Sequence, residues 1–381
     1  MMTAPMACFA ETPAELYDNV WNLISTKYVD VSDNGQIWGK WRKKYKDQLK
    51  TPEDAYVAIE TMLSSLNDPY TRFLDPKEFA EETSSIKGSL KGIGIQIGMK
   101  DGNLVVIEPI VGSPAEKAGL LTDDRIIEIN GKSTKGISID KAAEQIRGEI
   151  GTIVELLVKR KDLAPIKFEV TRAEIEVKAV TVKPPIAYKI PTDIQYIRLS
   201  SFISKNASNE IRDILVKSRD KKGYILDLRS NPGGLLSNSV LMARMFLSPS
   251  NAIVSTVDRY GYKDTIKSGG GKITNKPLVV LINKGSASAS EIFSGAMKDH
   301  HRATIVGEQS FGKGLVQEIN KLPDGAGINI TIQRYLTPDG EDIHKKGITP
   351  DVVVKLTEEN IKNKDDVQLK EAIKILQEQI K

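Results

Sequence analysis

The stretch KPLVVLINKGSASASEIFSGAMKD, residues 276–299, joins a continuous apolar strand to an amphipathic helix. In the helical part, ASEIFSGAMKD, the apolar side chains Ile292, Phe293 and Met297 share one side. Strands and helices alternate in the same way from about residue 173 onward, in IQYIRLSSF, ASNEIRDILVKSR, GYILDLR and SNSVLMARMFL. This alternation predicts an α/β core over residues 173–381, with functional groups at the strand ends.

Ser288 lies in the turn between that strand and that helix, close to the helix N-terminus. The helix dipole and the free N–H groups there favour developing negative charge, which suits a nucleophile or an oxyanion. Taken alone, a serine in this position is more often an N-cap. We interpret Ser290 and Glu291 as groups of the first helical turn, not as attacking groups.

A nucleophilic serine needs a base, and two types of residue are candidates. His300 follows the serine by twelve residues, which is about 18 Å along a helix, so it cannot reach. We interpret His300 and His301 as surface residues that complement the helix C-terminus. Lys313 is the other candidate, because strand-like alternation in SFGKGLVQEI puts Lys313 and Gln317 on one face, where the amide can hydrogen-bond the amine. Burial would lower the pKa of this lysine and let the neutral amine accept a proton.

At these residues the sequence resembles the carboxyl-terminal processing peptidases, also called tail-specific proteases, along nearly its whole length. GSASASE carries the family's nucleophile at Ser288, and FGKGLVQ carries its base Lys313 and its orienting Gln317. The separations, 313 − 288 = 25 and 317 − 313 = 4, match the family pattern. LNDPYTRFL and RYLTPDGEDIHKKGITPD match as well. The resemblance implies a serine endopeptidase with a crotonase-like core and no cofactor.

The resemblance also implies an oxyanion hole. In LDLRSNPGGLL, Gly233 or Gly234 would donate one N–H, and Ala289 would donate the other. Two glycines in succession leave the backbone unshielded, and such donors are typically worth a few kcal/mol each.

Three further features have structural or competing interpretations. We expect Asp227 and Arg229, at the end of a buried strand, to have a structural ion-pair or hydrogen-bond role rather than a catalytic one. We interpret His344 as a loop residue rather than a ligand. GEQSFGKG, residues 307–314, spells most of a nucleotide-binding P-loop, but a glycine replaces the magnesium-binding Ser or Thr and a strand follows.

A second segment, KGIGIQIG followed by VIEPIVGSPAEKAGLLTDDRIIEINGKS, resembles a PDZ domain over residues 83–172. The candidate groove residues are Gly92, Ile93, Gly94 and Ile95. The glycines let backbone N–H groups turn toward a C-terminal carboxylate, the isoleucines line a pocket for an apolar terminal side chain, and the peptide adds as a strand. Asp123 stands where the family more often has glycine, which affects one turn and not the groove.

Residues 12–82 have helical periodicity, with Thr51 as an N-cap and Pro52 at the first helical position. All three tryptophans, Trp21, Trp38 and Trp41, lie here. They indicate either core packing or a dimerisation face. The basic cluster KWRKKYK, residues 40–46, indicates a solvated helix face or, as the alternative, a peripheral membrane contact.

The composition argues against nucleic-acid binding, an internal disulfide and a metal site. Lys and Arg total 54 against 50 for Asp and Glu, a net charge of +4 without a basic face, so no nucleic-acid partner is indicated. The single Cys8 excludes an internal disulfide, and with three histidines we expect no metal site. Small residues around Cys8-Phe9-Ala10 suggest a truncated export signal; a lipidated Cys8 and a cytosolic N-terminus are the alternatives.

The sequence therefore predicts a multidomain α+β protein: a helical N-terminal region, a β-rich PDZ domain and an α/β protease core. The predicted function is a serine endopeptidase with a Ser-Lys dyad, acting on proteins with apolar C-termini. We expect an extracytoplasmic location, either periplasm, cell envelope or thylakoid lumen. The alternative is an inactive PDZ-bearing scaffold that binds protein C-termini.

Overall fold

The structure is a computed structural model that describes residues 12–45, 47–86, 89–100, 102–110, 112–161, 163–176, 179–184, 188–204 and 206–381. The predicted export signal with Cys8, and Lys46 of the basic cluster, lie outside the described residues. The chain forms two compact units: residues 84–178 form the smaller one, and the described residues before and after them form the larger one.

The larger unit begins with a helical region, two of whose helices start at capping boxes. Its elements are α1 (Pro13–Lys27), α2 (Gly39–Lys44), α3 (Pro52–Ser64), β1 (Arg72–Leu74) and α4 (Pro76–Ile86). Thr51 caps α3 through a capping box with Asp54, and Pro52 opens the helix, as predicted. Trp38 and Trp41 are each 6% exposed and belong to the hydrophobic core of this region, which confirms the core-packing interpretation for these two.

The smaller unit is a β-rich fold with its own core. Its elements are β2 (Ser89–Gly92), β3 (Ile95–Lys100), β4 (Asn103–Pro109), α5 (Pro114–Ala118), β5 (Arg125–Ile129), β6 (Lys132–Ser133), α6 (Ile139–Ile146), β7 (Ile153–Lys159), β8 (Ile166–Thr171) and β9 (Ala173–Glu176). The antiparallel sheet has the order β3-β4-β5-β7-β8, with β6 paired to β5, and β2 pairs with β9. Asp123 has φ +65°, a left-handed conformation that glycine adopts freely and aspartate tolerates, so the departure from the family pattern is accommodated.

The rest of the larger unit holds the α/β core. Its elements are β10 (Val180–Thr181), β11 (Ile194–Leu199), α7 (Ala207–Lys217), β12 (Gly223–Asp227), α8 (Leu236–Arg244), β13 (Ala252–Asp258), β14 (Lys263–Lys267), β15 (Leu278–Ile282), α9 (Ala289–Asp299), β16 (Thr304–Gly307), β17 (Leu315–Lys321), β18 (Gly327–Leu336), β19 (Val352–Val353), α10 (Glu358–Lys362) and α11 (Val367–Gln379). The strand and the helix predicted on either side of Ser288 are β15 and α9.

The central sheet has the order β10-β11-β12-β15-β16-β19, and all its pairs are parallel except β10 with β11. Residues of the four inner strands enter two hydrophobic clusters on opposite faces, one with α7, α8 and α9 and one with α11. Both faces are therefore buried, which explains why β12 and β15 are continuous apolar runs.

A second, antiparallel sheet has the order β1-β18-β13-β14, with β17 also paired to β18. It joins the helical region to the core, because β1 pairs with Gly327–Asn329 at the start of β18. Ile328 and Ile330 of β18 pack into the hydrophobic core of the helical region. The helical region is consequently built onto the same sheet that carries β17.

Candidate active site

Three adjacent parallel strands, β12, β15 and β16, position the predicted catalytic groups. The loop after β12 contains Gly233 and Gly234, the turn after β15 contains Ser288, and the loop after β16 contains Lys313. Because the carboxyl ends of parallel strands meet at the same edge of a sheet, these three loops are neighbours, with the serine turn in the middle.

Ser288 is held in a strained conformation at the start of α9. Its φ is +53° and its ψ is −114°, a region that costs a non-glycine residue on the order of 1–3 kcal/mol. Strain of this kind is found at nucleophilic serines in other strand-to-helix turns. The neighbouring hydroxyls are committed elsewhere, since Ser286 Oγ donates to Leu228 O at 2.8 Å and Ser290 Oγ donates to Asn231 O at 2.9 Å.

The Pro-Gly-Gly loop lies directly against the serine turn. A Cβ added to Gly233 would be 2.6 Å from Ala287 O and 2.9 Å from both Ala289 N and Ser288 Cβ. Gly233 N–H donates to Asn231 Oδ1 at 2.9 Å, and Gly233 C=O accepts from Phe202 N at 2.7 Å. Gly234 packs instead against Phe202 and Ile203, and its N–H has no acceptor among the residues that the structure describes.

Glu291 connects the serine turn to the lysine loop. Its carboxylate is 1% exposed and accepts from Ser288 N at 2.8 Å and Lys313 N at 2.9 Å. It also accepts from Gly312 N and Ser310 Oγ, both at 2.6 Å. The sequence placed Glu291 correctly in the first helical turn, but no local pattern indicates that this carboxylate holds the backbone of both loops.

Lys313 is largely enclosed by protein, and its pKa is lowered. Burial is the main cause, because desolvation disfavours the cation, and the nearby charge of Arg72 adds to it; the charges of Asp68 and Glu82 act in the opposite direction. The amine Nζ lies over the ring of Tyr70, 4.6 Å from the centroid. Burial therefore makes this lysine easier to deprotonate than a solvent-exposed lysine.

Gln317 lies in β17, whereas Lys313 precedes that strand. Gln317 Nε2 donates to Thr331 Oγ1 at 3.4 Å, and Thr331 Oγ1 donates to Asp68 Oδ2 at 2.7 Å. The predicted hydrogen bond from Gln317 to the Lys313 amine stays a prediction. Asp68, Tyr70 and Thr331 had no assigned role in the sequence, although Asp68 and Tyr70 belong to the motif LNDPYTRFL, which matched the family.

A pocket of about 430 Å³ opens beside these residues. Its lining residues are Tyr28, Val29, Asn67, Asp68, Pro69, Tyr70, Phe311, Gly312, Leu315, Thr331, His344 and Lys345. His344 follows β18 and packs its backbone against Gly314. Desolvation lowers the pKa of His344, and its buried Nδ1 has no hydrogen-bond partner. The residue interpreted as part of a loop thus also lines a pocket.

The remaining predicted polar residues have structural partners. Arg229 donates to both oxygens of Asp227 and to both oxygens of Asp366, at 2.6–3.1 Å, which confirms the structural ion pair. His300 caps the C-terminal end of α9, and its Nε2 is 2.7 Å from Ala252 O.

In the smaller unit, the predicted groove residues have different environments. Gly94 has φ +77°, and its carbonyl accepts from Ile110 N and Ser113 Oγ. Ile93 is 1% exposed and packs in the interior core, while Ile95 is half-buried at the start of β3. β3 pairs only with β4, so no strand among the described residues pairs with its other edge.

No group of three or more His, Cys, Asp or Glu side chains within the described ranges could hold a metal ion. No helix in the described part of the chain is both long and apolar enough to span a bilayer.

Comparison with known proteins identifies both units. Residues 193–354 match the model for peptidase family S41, and residues 105–160 match the model for PDZ domains. A "Carboxyl-terminal-processing protease" of Synechocystis sp. is 41% identical over 93% of this chain and 85% of its own length. The "C-terminal processing peptidase, chloroplastic" of Tetradesmus obliquus is 36% identical over 88% of this chain and 76% of its own length.

Among solved structures, a "Photosystem II D1 C-terminal processing protease" is similar, with a TM-score of 0.62 and 33% identity over 96% of this chain and 97% of that one. The predicted fold class, a PDZ domain with an α/β protease core, is confirmed, as is a serine-type peptidase. The chain belongs to peptidase family S41 and is a carboxyl-terminal-processing protease of that family.

Proposed function

We propose that the protein is an endopeptidase that uses Ser288 as nucleophile and Lys313 as general base, with Gln317 orienting the lysine amine. The neutral amine takes the Ser288 Oγ proton as Oγ bonds to the substrate carbonyl carbon. The resulting ammonium then protonates the leaving amine as the C–N bond breaks. Water hydrolyses the acyl-enzyme with the same amine as base, which releases the second product and restores the serine hydroxyl.

One observation supports this proposal above the others. The Glu291 carboxylate holds the backbone N–H groups of both Ser288 and Lys313, and the pKa of that lysine is lowered by burial. A strained serine and a lysine of lowered pKa, whose backbone N–H groups bond one buried carboxylate, fit a Ser-Lys pair.

For the oxyanion hole we propose the N–H groups of Gly234 and Ala289. Gly233 N–H already donates to Asn231, whereas Gly234 N–H is not engaged by a described residue. The peptide between the two glycines is trans, so its N–H points opposite to the Gly233 carbonyl, which bonds Phe202. These donors would stabilise the tetrahedral oxygen.

We further propose that the open edge of β3 captures the substrate's C-terminal tail and that the 430 Å³ pocket receives a substrate side chain. Aromatic and aliphatic residues form the larger part of the pocket lining, beside Asn67, Asp68, Thr331, His344 and Lys345, and this larger part favours apolar side chains. An extracytoplasmic location is part of the proposal, and sequencing the mature N-terminus tests it. Dimerisation through the helical region is supported by the exposed Ile37 and Val57, and sedimentation tests it. Peripheral membrane contact is tested by vesicle flotation.

The decisive experiment is cleavage of an unfolded protein with an apolar C-terminus, with the new ends of the products identified. Ser288→Ala and Lys313→Ala should each lose about 10³-fold or more in kcat. Two variants serve as matched controls: Ser250→Ala, at a loop serine that also has positive φ, and Lys272→Ala, at another lysine whose pKa is lowered by burial. Equal rates for wild type and Ser288→Ala would remove the proposed mechanism. Tail binding without cleavage by the wild type would support the scaffold alternative.

A further inference from the structure

The buried hydroxyl of Thr331 links the helical region to Gln317. Thr331 is fully buried, and its Oγ1 lies 2.7 Å from Asp68 Oδ2 and 3.4 Å from Gln317 Nε2. Asp68 Oδ2 also accepts from Thr71 Oγ1 at 2.7 Å, and Asp68 Oδ1 accepts from Tyr70 N at 2.9 Å. Both carboxylate oxygens are thus oriented by donors, and Asp68 presents only acceptors to Thr331.

The direction of the hydrogen bonds follows from counting protons. A hydroxyl has one proton, and the proton of Thr331 is committed to the Asp68 carboxylate. Thr331 Oγ1 can therefore only accept from Gln317, which requires the amide to turn its NH₂ group toward Thr331. The amide oxygen of Gln317 is then left for another partner.

The amide orientation matters for the proposed lysine base. The lysine needs a lone pair for the serine proton, and its N–H groups need an acceptor. An amide oxygen supplies that acceptor. A reversed amide would aim an N–H donor at the lone pair that must take the proton and would oppose the ammonium form.

We propose that Asp68, acting through Thr331, is a positioning residue that fixes the Gln317 amide with its oxygen toward Lys313. This inference rests on the proposed Ser-Lys mechanism. It gives the segment between α3 and β1 a specific part in the reaction, because Asp68 and Tyr70 both belong to that segment.

Reversing the hydrogen-bond direction tests the proposal. In Asp68→Asn, the amide oxygen of the new side chain accepts from Tyr70 N. Its NH₂ group then faces Thr331 Oγ1 and can donate to it. The Thr331 hydroxyl would then donate to residue 317 and turn the Gln317 amide round. We expect the pH-independent plateau of kcat to fall about ten-fold, with KM within about two-fold. Using the plateau separates this effect from any change in the lysine pKa.

The second variant, Gln317→Glu, presents acceptors at both ends. In the wild-type background one of these oxygens faces the acceptor Thr331 Oγ1, so kcat should fall. In the Asp68→Asn background the same change should restore the kcat plateau to within roughly three-fold of wild type. If these residues only stabilised the fold, Gln317→Glu would not lower kcat in the wild-type background and raise it in the Asp68→Asn background.

Thr331 provides an independent check. Thr331→Ser keeps the hydroxyl and should retain more of the wild-type kcat than Thr331→Val, which should lower kcat without raising KM. A folded Asp68→Asn enzyme with a wild-type plateau, or Gln317→Glu harmful in both backgrounds, would overturn the inference. If Lys313→Ala also kept its activity, the proposed mechanism itself would fail; if that variant were inactive, only the role of Asp68 would be lost.

Discussion

Gly233→Ala is the sharpest test of the arrangement around Ser288. The new methyl group would lie 2.6 Å from Ala287 O and 2.9 Å from Ser288 Cβ, and Cβ atoms essentially never approach below 3.0 Å. Relieving the shorter contact alone requires a displacement of about 0.4 Å, close to the roughly 0.5 Å tolerance of catalytic groups. The backbone at φ +98° adds about 1–3 kcal/mol of strain for alanine.

From these magnitudes we expect kcat for peptide cleavage to fall by about 30- to 100-fold, because a misplacement near 1 Å costs about 10²-fold. The free energy of unfolding should fall by only about 1–3 kcal/mol. The assay is steady-state cleavage of a peptide substrate, with chemical denaturation measured on the same preparations.

Alanine substitutions at two other glycines distinguish the effect of backbone strain from the effect of displacing neighbouring atoms. Gly271 has φ +93° and nothing within 4 Å of an added Cβ, so Gly271→Ala should show the strain penalty with unchanged kcat. Gly234→Ala would collide with Ile203 N at 2.4 Å and Phe202 C at 2.5 Å, so it should destabilise the fold more than Gly233→Ala does. A folded Gly233→Ala enzyme with kcat within two-fold of wild type would refute the reasoning that this loop positions the reacting groups.

Three further substitutions probe the base, the buried acceptor and the histidine. Arg72→Met removes a cation that lowers the pKa of Lys313, so this pKa should rise. Because the proposed base is the neutral amine, the acid limb of the kcat/KM profile should move to higher pH. An unmoved limb would argue against Lys313 as the titrating group. Glu291→Gln leaves buried N–H donors without an acceptor, at about 1–3 kcal/mol each, so thermal unfolding should occur earlier and kcat should drop at least about 10²-fold; normal turnover would contradict its linking role. His300→Ala should keep kcat within about two-fold and lose about 1 kcal/mol of stability at most, whereas a collapse of activity would overturn the distance argument.

Local patterns predicted the elements nearest Ser288 well. The unbroken apolar run of β15 and the helical periodicity of α9 are local sequence patterns, so the turn between this strand and this helix could be predicted directly. The helix length also excluded His300 by distance alone. The family resemblance, rather than periodicity, selected Lys313 and the Pro-Gly-Gly loop.

The second sheet could not be predicted in the same way. β1 pairs with β18 across most of the length of the chain, and no local pattern encodes such a partner. The Glu291 contacts to the lysine loop and the Asp68 contact to Thr331 depend on that tertiary arrangement. The sequence showed which residue types were present in LNDPYTRFL, but not that they face the lysine.

We therefore propose that the helical region forms part of the candidate active site as well as a candidate dimerisation face. Desolvation is the first cause of the lowered pKa of Lys313, and the Tyr70 ring from this region lies directly against its amine. Arg72 and Asp68, from the same segment, shift that pKa in opposite directions. Since β1 and the hydrophobic packing of Ile328 and Ile330 anchor the segment to β18, anything that loosens the helices would also rehydrate the lysine. We therefore expect dimerisation through this region, as proposed above, to be coupled to the proposed activity at Ser288 through one short segment.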